Sequence, residues 1–326
     1  MAEILSIVSS SNEPAYNLAA EEYLLRSKVE DYHFYYINRP SVIIGKHQNA
    51  LSEINLNYLQ ANKISLFRRL SGGGTVYHDF GNINFCFIKN GKAGDLVNFK
   101  KATAPIVEVL NQWGLKVKHG ERNDLLLNYK KISGNACHVF KQRVMHHGTI
   151  LYDSDITALT ACLRNDPTRF RDKAVKSVKS EVINIKGLLK SDKSADEFLK
   201  DLVDSINKND SAIIPYQFSP EEEAQIIEIQ KTKFDTPEWN YRYGPPYIFK
   251  KRSVLSGFTI LVEMKIEKGK IVEFSIKDNY PDKSISEQII ALLTGLAHER
   301  DEIERSLKAI EAKLGISAAE LSTLFF

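Results

Sequence analysis

The chain has 326 residues, 43% of them hydrophobic and 26% charged, which is more than one ordinary domain requires and ample for a sizeable core. Its 44 basic and 41 acidic side chains leave a net charge of +3, too mild for the clustered Lys and Arg of a nucleic-acid binder. Cys86, Cys137 and Cys162 are odd in number and fit no zinc spacing, so a reducing compartment is expected in place of a disulfide framework. No apolar run of membrane-spanning length occurs, and Met1–Ser11 lacks the pattern of a secretory signal or transit peptide; a cytoplasmic protein without membrane or nucleic-acid partners is the expectation.

Residues Pro14–Ser27 read as a helix. Asn12 is placed to cap it, Pro14 suits its first turn, and Ala15, Leu18, Ala19 and Leu25 share a face. His33–Asn38 and Ser41–Gly45 read as strands separated by Arg39-Pro40. Ile64–Arg69 and Gly74–His78 are further strands, joined through Ser71-Gly72-Gly73, and Ile83–Ile88 is another. Asn98–Trp113 is periodic and helical despite Pro105. Leu125–Asn128 and Lys131–Ser133 flank a turn at Tyr129-Lys130, Val144–Tyr152 is a strand, and Ser154–Leu163 is a short helix. Helices then occupy Ser194–Lys231 around a loop at Asn207–Pro215, and the aromatic, Pro-bearing stretch Trp239–Pro246 reads as a boundary. Beyond it, Phe258–Ile266 and Lys270–Ile276 alternate about a Glu267-Lys268-Gly269 turn as a hairpin, and helical patterns fill Ser284–Leu314 and Ala318–Leu324. Hairpins and helices in mixed order predict an α+β fold with a largely antiparallel sheet. The division expected is a large domain over residues 1–244 and a small α+β domain over 245–326.

Several segments carry chemistry. In Arg68–Asp79 three glycines between two strands bare backbone N–H groups that can converge on an anion, with two arginines beside them. The run is neither a Walker loop nor a dinucleotide fingerprint. In Arg122-Asn123-Asp124 a carboxylate stands at the mouth of an apolar strand, where it can hold a metal or a ribose hydroxyl; a plain turn is the alternative. Lys131, in Lys-Ile-Ser-Gly, can reach a phosphate or carboxylate as a point charge. His146 and His147 are adjacent on a strand, so only one of them faces a given site and the two do not chelate one metal. Lys173–Ser180 is either a basic flap over an anionic ligand or a solvated linker.

In combination and order, these segments resemble the lipoate–protein ligase A family, including its lipoyltransferase relatives. Arg-Arg-x-Ser-Gly-Gly-Gly-x-Val-Tyr-His-Asp-x-Gly-Asn is present in full at Arg68–Asn82, followed by Arg-Asn-Asp-Leu, Lys-Ile-Ser-Gly-x-Ala and His-His-Gly-Thr-Ile. The resemblance is strong from about Ser9 to Asn184 and weaker through Glu238-Trp239-Asn240-Tyr241 and the C-terminal region. It implies a biotin/lipoate ligase-like fold and a monomeric enzyme that uses ATP and Mg²⁺ to convert lipoate to lipoyl-AMP. The lipoyl group then passes to a lysine of the lipoyl domains of 2-oxoacid dehydrogenase complexes or of the glycine cleavage H protein.

By the same resemblance, Arg69 lies near the phosphate and the backbone of Gly74, Thr75, Val76 and Tyr77 binds the adenylate. Ser71 and Gly73 line the lipoyl pocket, and Lys131 bridges the lipoate carboxyl oxygen and the α-phosphate. Asn123 and Asp124 border the nucleotide, with Asp124 the candidate Mg²⁺ ligand, and His147 lies close to the acyl chain. Lys173 and Ser177 belong to a mobile adenylate-binding loop, expected to be displaced until ligand arrives. Met145 departs from the pattern, since an aromatic residue can precede the histidine pair. Three readings compete: a lipoyltransferase restricted to preformed lipoyl-AMP, an octanoyltransferase with a cysteine nucleophile, and a non-catalytic lipoyl-domain binder. His119–Leu127, where one branch of the octanoyltransferases carries that cysteine, has none.

Overall fold

The structure is a computed structural model that describes residues 3–91, 96–163, 166–279 and 282–326. Its centre is a six-stranded sheet in the spatial order Asn135–Phe140, Arg143–Leu151, Asn82–Asn90, Asp31–Ile37, Ile4–Val8 and Ile213–Pro215. The first three pairings are antiparallel and the last two parallel, which makes the sheet mixed and mostly antiparallel, as the order of elements predicts. Strict alternation sends the two faces into different cores. Phe34, Tyr36, Cys86 and Ile88 join Ala15, Leu18 and Leu24 on one side. Tyr35, Ile37, Phe85 and Phe87 join Ile106, Leu110, Phe198 and Leu202 on the other. Both faces are covered, so the central strands read as nearly continuous apolar runs.

The helix Pro14–Ser27 has the bounds its sequence predicts, but not the cap. Glu13 occupies the N-cap position and makes no side-chain capping bond, while Asn12 Nδ2 donates to the Ile37 carbonyl at 2.8 Å and so anchors the chain to the sheet. Asn17, Glu21 and Glu22 are buried along with the expected apolar residues, because the helix lies between the sheet and a second helix, Pro220–Ile229.

A small sheet places Ser41–Ile44 between Ser65–Arg68, to which it runs parallel, and Val76–His78, to which it is antiparallel. The strands on either side of the glycine run therefore never pair with each other. The register sets Arg68 beside Ile44 and Val76 beside Ile43, so residues 69–75 cross over the end of the middle strand. A third sheet holds Lys118–His119, Leu125–Leu127 and Lys130–Ser133. Its tight turn is Asn128-Tyr129, with φ of 51° and 64°, one residue earlier than expected.

The C-terminal region contains the predicted hairpin, Phe258–Glu267 and Lys270–Asp278, and the helices Lys283–Leu293, Arg300–Leu314 and Ala318–Ser322, packed into one core. Two strands unforeseen from the sequence complete this sheet. Tyr247–Leu255 pairs with the hairpin, and the edge strand is Phe170–Asp172, contributed from much earlier in the chain. Among the described residues no helix is long and apolar enough to cross a membrane.

Candidate active site

A cavity of about 320 Å³ opens where the glycine run, the third sheet and the strand Arg143–Leu151 meet. Ten of the residues singled out from the sequence line it: Arg69, Gly73, Gly74, Thr75, Val76, Asn123, Asp124, Lys131, His147 and Ser177. Three do not. Ser71 is fully buried behind the wall, the Tyr77 side chain packs with Val42, Ile44 and Leu66, and Lys173 is exposed outside it. Strand alternation explains Tyr77, since Val76 and His78 take the cavity side. It likewise separates the histidines. His147 faces the cavity, whereas His146 accepts from Asn98 N at 3.3 Å and meets the Phe99 ring. Met145 is buried in the core and is not part of the cavity wall.

The paired arginines have different tasks. Arg68 is fully buried and donates to the carbonyls of Gly45, Lys46, Gln48, Trp239 and Asn240 at 2.7–3.1 Å. Trp239 Nε1 returns a bond to the Arg68 carbonyl at 2.7 Å. The Trp-Asn pair is thus a clasp on Arg68, which accounts for the weaker C-terminal motif. Arg69 uses four N–H groups internally: Nε to Ser71 Oγ, and its terminal nitrogens to the carbonyls of Ile43, Gly72 and Gly74. Burial lowers both guanidinium pKa values to about 10, so both remain cations at neutral pH. Gly73, at φ 87°, leaves room for Arg69: a Cβ there would stand 3.0 Å from its Nη2.

Lys131 rises from the third sheet and lies over Gly134, where a Cβ would come within 3.1 Å of its Nζ and press on the ammonium. Among the described residues the Lys131 ammonium has no hydrogen bond or ion pair. Its pKa is lowered, first by burial and then by Arg69 and Arg122, with Asp124 opposing. The Asp124 carboxylate carries a buried oxygen without a partner. Asn123, just before it, sits in the left-handed region at φ 61°, so the Asn-Asp pair forms a turn and also borders the cavity.

Sequence reasoning missed the support beneath His147. Its Nδ1 lies 2.9 and 3.0 Å from the two Glu21 oxygens and its Nε2 lies 2.5 Å from Ser71 Oγ. Glu21 is 1% exposed. Nearby His78 accepts from Asn38 Nδ2 at 3.0 Å, and burial, then Arg69 and His147, depress its pKa to about 3.

The segment Lys173–Ser180 has no regular structure, but it is not displaced. Ser177 Oγ accepts from Thr75 N at 2.8 Å and from Gln48 Nε2 at 3.1 Å, and it bonds to the Glu53 carboxylate. Lys176 pairs with Asp172 at 2.8 Å. Polar side chains therefore lay the segment across the glycine run.

The geometry describes a cavity lined by the cationic side chains of Arg69, Arg122 and Lys131. A sequence model of the lipoyl protein ligase A/B catalytic domain matches residues 13–207. The lipoate-protein ligase LplJ of Bacillus subtilis is 35% identical over 306 residues, covering 93% of this chain and 92% of that protein. A putative lipoate protein ligase of Thermoplasma acidophilum, solved with bound lipoic acid, is 27% identical with a TM-score of 0.62; the match covers 74% of this chain and 99% of that one. A lipoate-protein ligase A solved with ATP is 28% identical with a TM-score of 0.61, covering 74% and 98%. The chain belongs to the lipoate–protein ligase family. It is an enzyme of the lipoate–protein ligase class.

Proposed function

We propose that the reaction runs in two steps in the one cavity. A lipoate carboxylate oxygen attacks the α-phosphate of ATP, breaking the bond to the β-phosphate and releasing pyrophosphate. The amine of a carrier-protein lysine then attacks the carbonyl of lipoyl-AMP, forms the amide, loses a proton and releases AMP. The observation that carries this reading is the Lys131 ammonium, partly buried and without a partner beside Arg69 and Arg122. Two anions must meet in the first step, and a fixed cation between them offsets their repulsion and stabilises charge in the transition state. In the second step Lys131 polarises the carbonyl, and the attacking nitrogen comes from the carrier.

The roles follow from position. The backbone at Gly73–Val76 and the Asn123-Asp124 turn receive the nucleotide, and Leu18, Ile43 and His147 wall the acyl side. Arg69 acts chiefly by holding the Gly72 and Gly74 carbonyls, since most of its donors are committed. Mg²⁺ fits Asp124, whose buried oxygen lacks a partner. Held there by one carboxylate together with phosphate oxygens, it would neutralise phosphate charge. We assign the acceptor as lipoyl domains of 2-oxoacid dehydrogenase complexes and the glycine cleavage H protein. Residues 1–244 hold the chemistry and 245–326 form an accessory unit needed more for activating lipoate than for transfer from lipoyl-AMP.

The test combines purified protein, ATP, Mg²⁺, lipoate and an apo lipoyl domain, read by mass. One lipoyl adduct that requires ATP is expected, with ATP–pyrophosphate exchange dependent on lipoate. An adduct formed only from supplied lipoyl-AMP, with no exchange, would replace the ligase mechanism by simple transfer.

A further inference from the structure

Glu21 is nearly sealed from solvent, on a helix that contributes only Leu18 to the cavity wall. Its carboxylate accepts from Tyr36 OH at 3.0 Å and meets His147 Nδ1 through both oxygens. Both Glu21 oxygens face His147 Nδ1, so Nδ1 is the ring nitrogen placed to donate to them. In a neutral imidazole with that tautomer Nε2 accepts, and the Ser71 hydroxyl lies 2.5 Å from it. With its own proton so directed, Ser71 Oγ is left to accept from Arg69 Nε at 2.9 Å. Arg69 Nη2 in turn donates to the carbonyls of Gly72 at 2.6 Å and Gly74 at 2.7 Å. The row runs unbroken from the carboxylate at one end to the glycine run at the other, and at its far end the guanidinium donates to the Gly72 and Gly74 carbonyls.

The order serine, histidine, carboxylate is that of a hydrolase triad, yet Ser71 is no nucleophile. It is fully buried, it is absent from the cavity wall, and its oxygen is engaged by Arg69. A nucleophile must come within hydrogen-bonding reach of its substrate, and Ser71 is directed at a guanidinium instead. The row has another effect. Arg69 is a buried cation with no carboxylate touching it among the described residues, and the Glu21 carboxylate acts on it across the intervening Ser71 and His147. A buried charge deprived of its counter-ion is strongly disfavoured.

We propose that Glu21 is a positioning residue for adenylation: by setting the His147 tautomer and, through Ser71, the orientation of Arg69, it holds the glycine run in the shape that receives the nucleotide. The effect of Glu21 falls on the ATP half of the reaction although the carboxylate lies behind the acyl half. This inference rests on the adenylation reading above.

The experiment measures lipoate-dependent ATP–pyrophosphate exchange for the full chain, Glu21→Gln, Ser71→Ala and the double variant. Glutamine keeps the volume but removes the charge and introduces a donor facing His147. A loss in kcat on the order of 10²-fold is expected for Glu21→Gln, the scale of a misplaced reacting group, with KM for lipoate changed far less than kcat. Because both residues act through one row, the double variant should be little worse than the worse single one. Ser71→Ala breaks the same row with a smaller change and reports on it if Glu21→Gln does not fold. Near-normal exchange in either single variant, fully additive losses, or an effect confined to KM for lipoate would overturn the proposal. No exchange by the unaltered chain would instead overturn the adenylation reading on which it stands.

Discussion

Arg69 and His147 in the floor of the cavity, and Ser71 beneath them, are each less than a tenth exposed and bonded to one another or to strand carbonyls. Val175–Ser180, in the roof, is exposed along its length and held by side-chain bonds from Gln48, Glu53, Thr75 and Asp172. The floor is tied into the core of the sheet, so its dipoles are already aimed when substrate enters and need no reorganisation at the moment of reaction. The roof buries little apolar surface and can open at small cost. One cavity thus joins a fixed electrostatic surface to a breakable cover, and the two should fail in different ways.

The sharpest division is expected at Lys131. Lys131→Ala should lower ligation by roughly 10²–10³-fold with the melting temperature little changed, since its ammonium makes no bond among the described residues; near-normal turnover would remove it from the mechanism. Arg68→Met should do the reverse. It leaves five carbonyls without their donor, and with about 1–3 kcal/mol for each buried group that finds no other partner, denaturant unfolding should show a loss of about 3 kcal/mol or more. A midpoint like that of the unaltered protein would show that the clasp contributes nothing net.

The roof should respond more mildly. Glu53→Gln weakens the grip on Ser177, so limited trypsin digestion should cut faster after Lys173, Lys176 or Lys179, and lipoyl-AMP should restore protection where lipoate alone does not. Equal cleavage with and without the adenylate would make the segment a plain linker. The smallest effect concerns pH. Because the Lys131 pKa is depressed, its cation is lost on raising pH sooner than that of an ordinary lysine, so the alkaline limb of kcat/KM for lipoate should fall below the usual lysine range. In Lys131→Arg that limb should vanish, whatever activity remains; its persistence would assign it to another group.

Legibility from sequence follows the same line. The bounds of Pro14–Ser27, the glycine run and the choice of a single histidine facing the site all come from local pattern, where period and turn chemistry decide. Glu21 did not, because a Glu-Glu pair on a helix reads as a solvated face, and only the packing of Pro220–Ile229 and the sheet around that helix shows otherwise. The strand Tyr247–Leu255 hides behind Lys250-Lys251-Arg252, three charges in a row that break the apolar alternation. The pairing of Phe170–Asp172 with it spans more than seventy residues, and no local window records such a partner. Asn12 was placed as a cap by its type, yet the Ile37 carbonyl competed successfully for its side chain.

That pairing of Phe170–Asp172 gives the cover a leash. Asp172 is the last residue of an edge strand in the four-stranded sheet, and Ser177, which sits on Thr75, is five residues further on. Five extended residues reach at most about 18 Å, so the cover cannot travel independently of the sheet to which it is stitched. Rotation of that sheet away from the cavity would draw the cover taut and pull Ser177 off Thr75, while rotation toward it would give slack. The length of this tether bounds any swing of the C-terminal sheet that leaves Ser177 on Thr75.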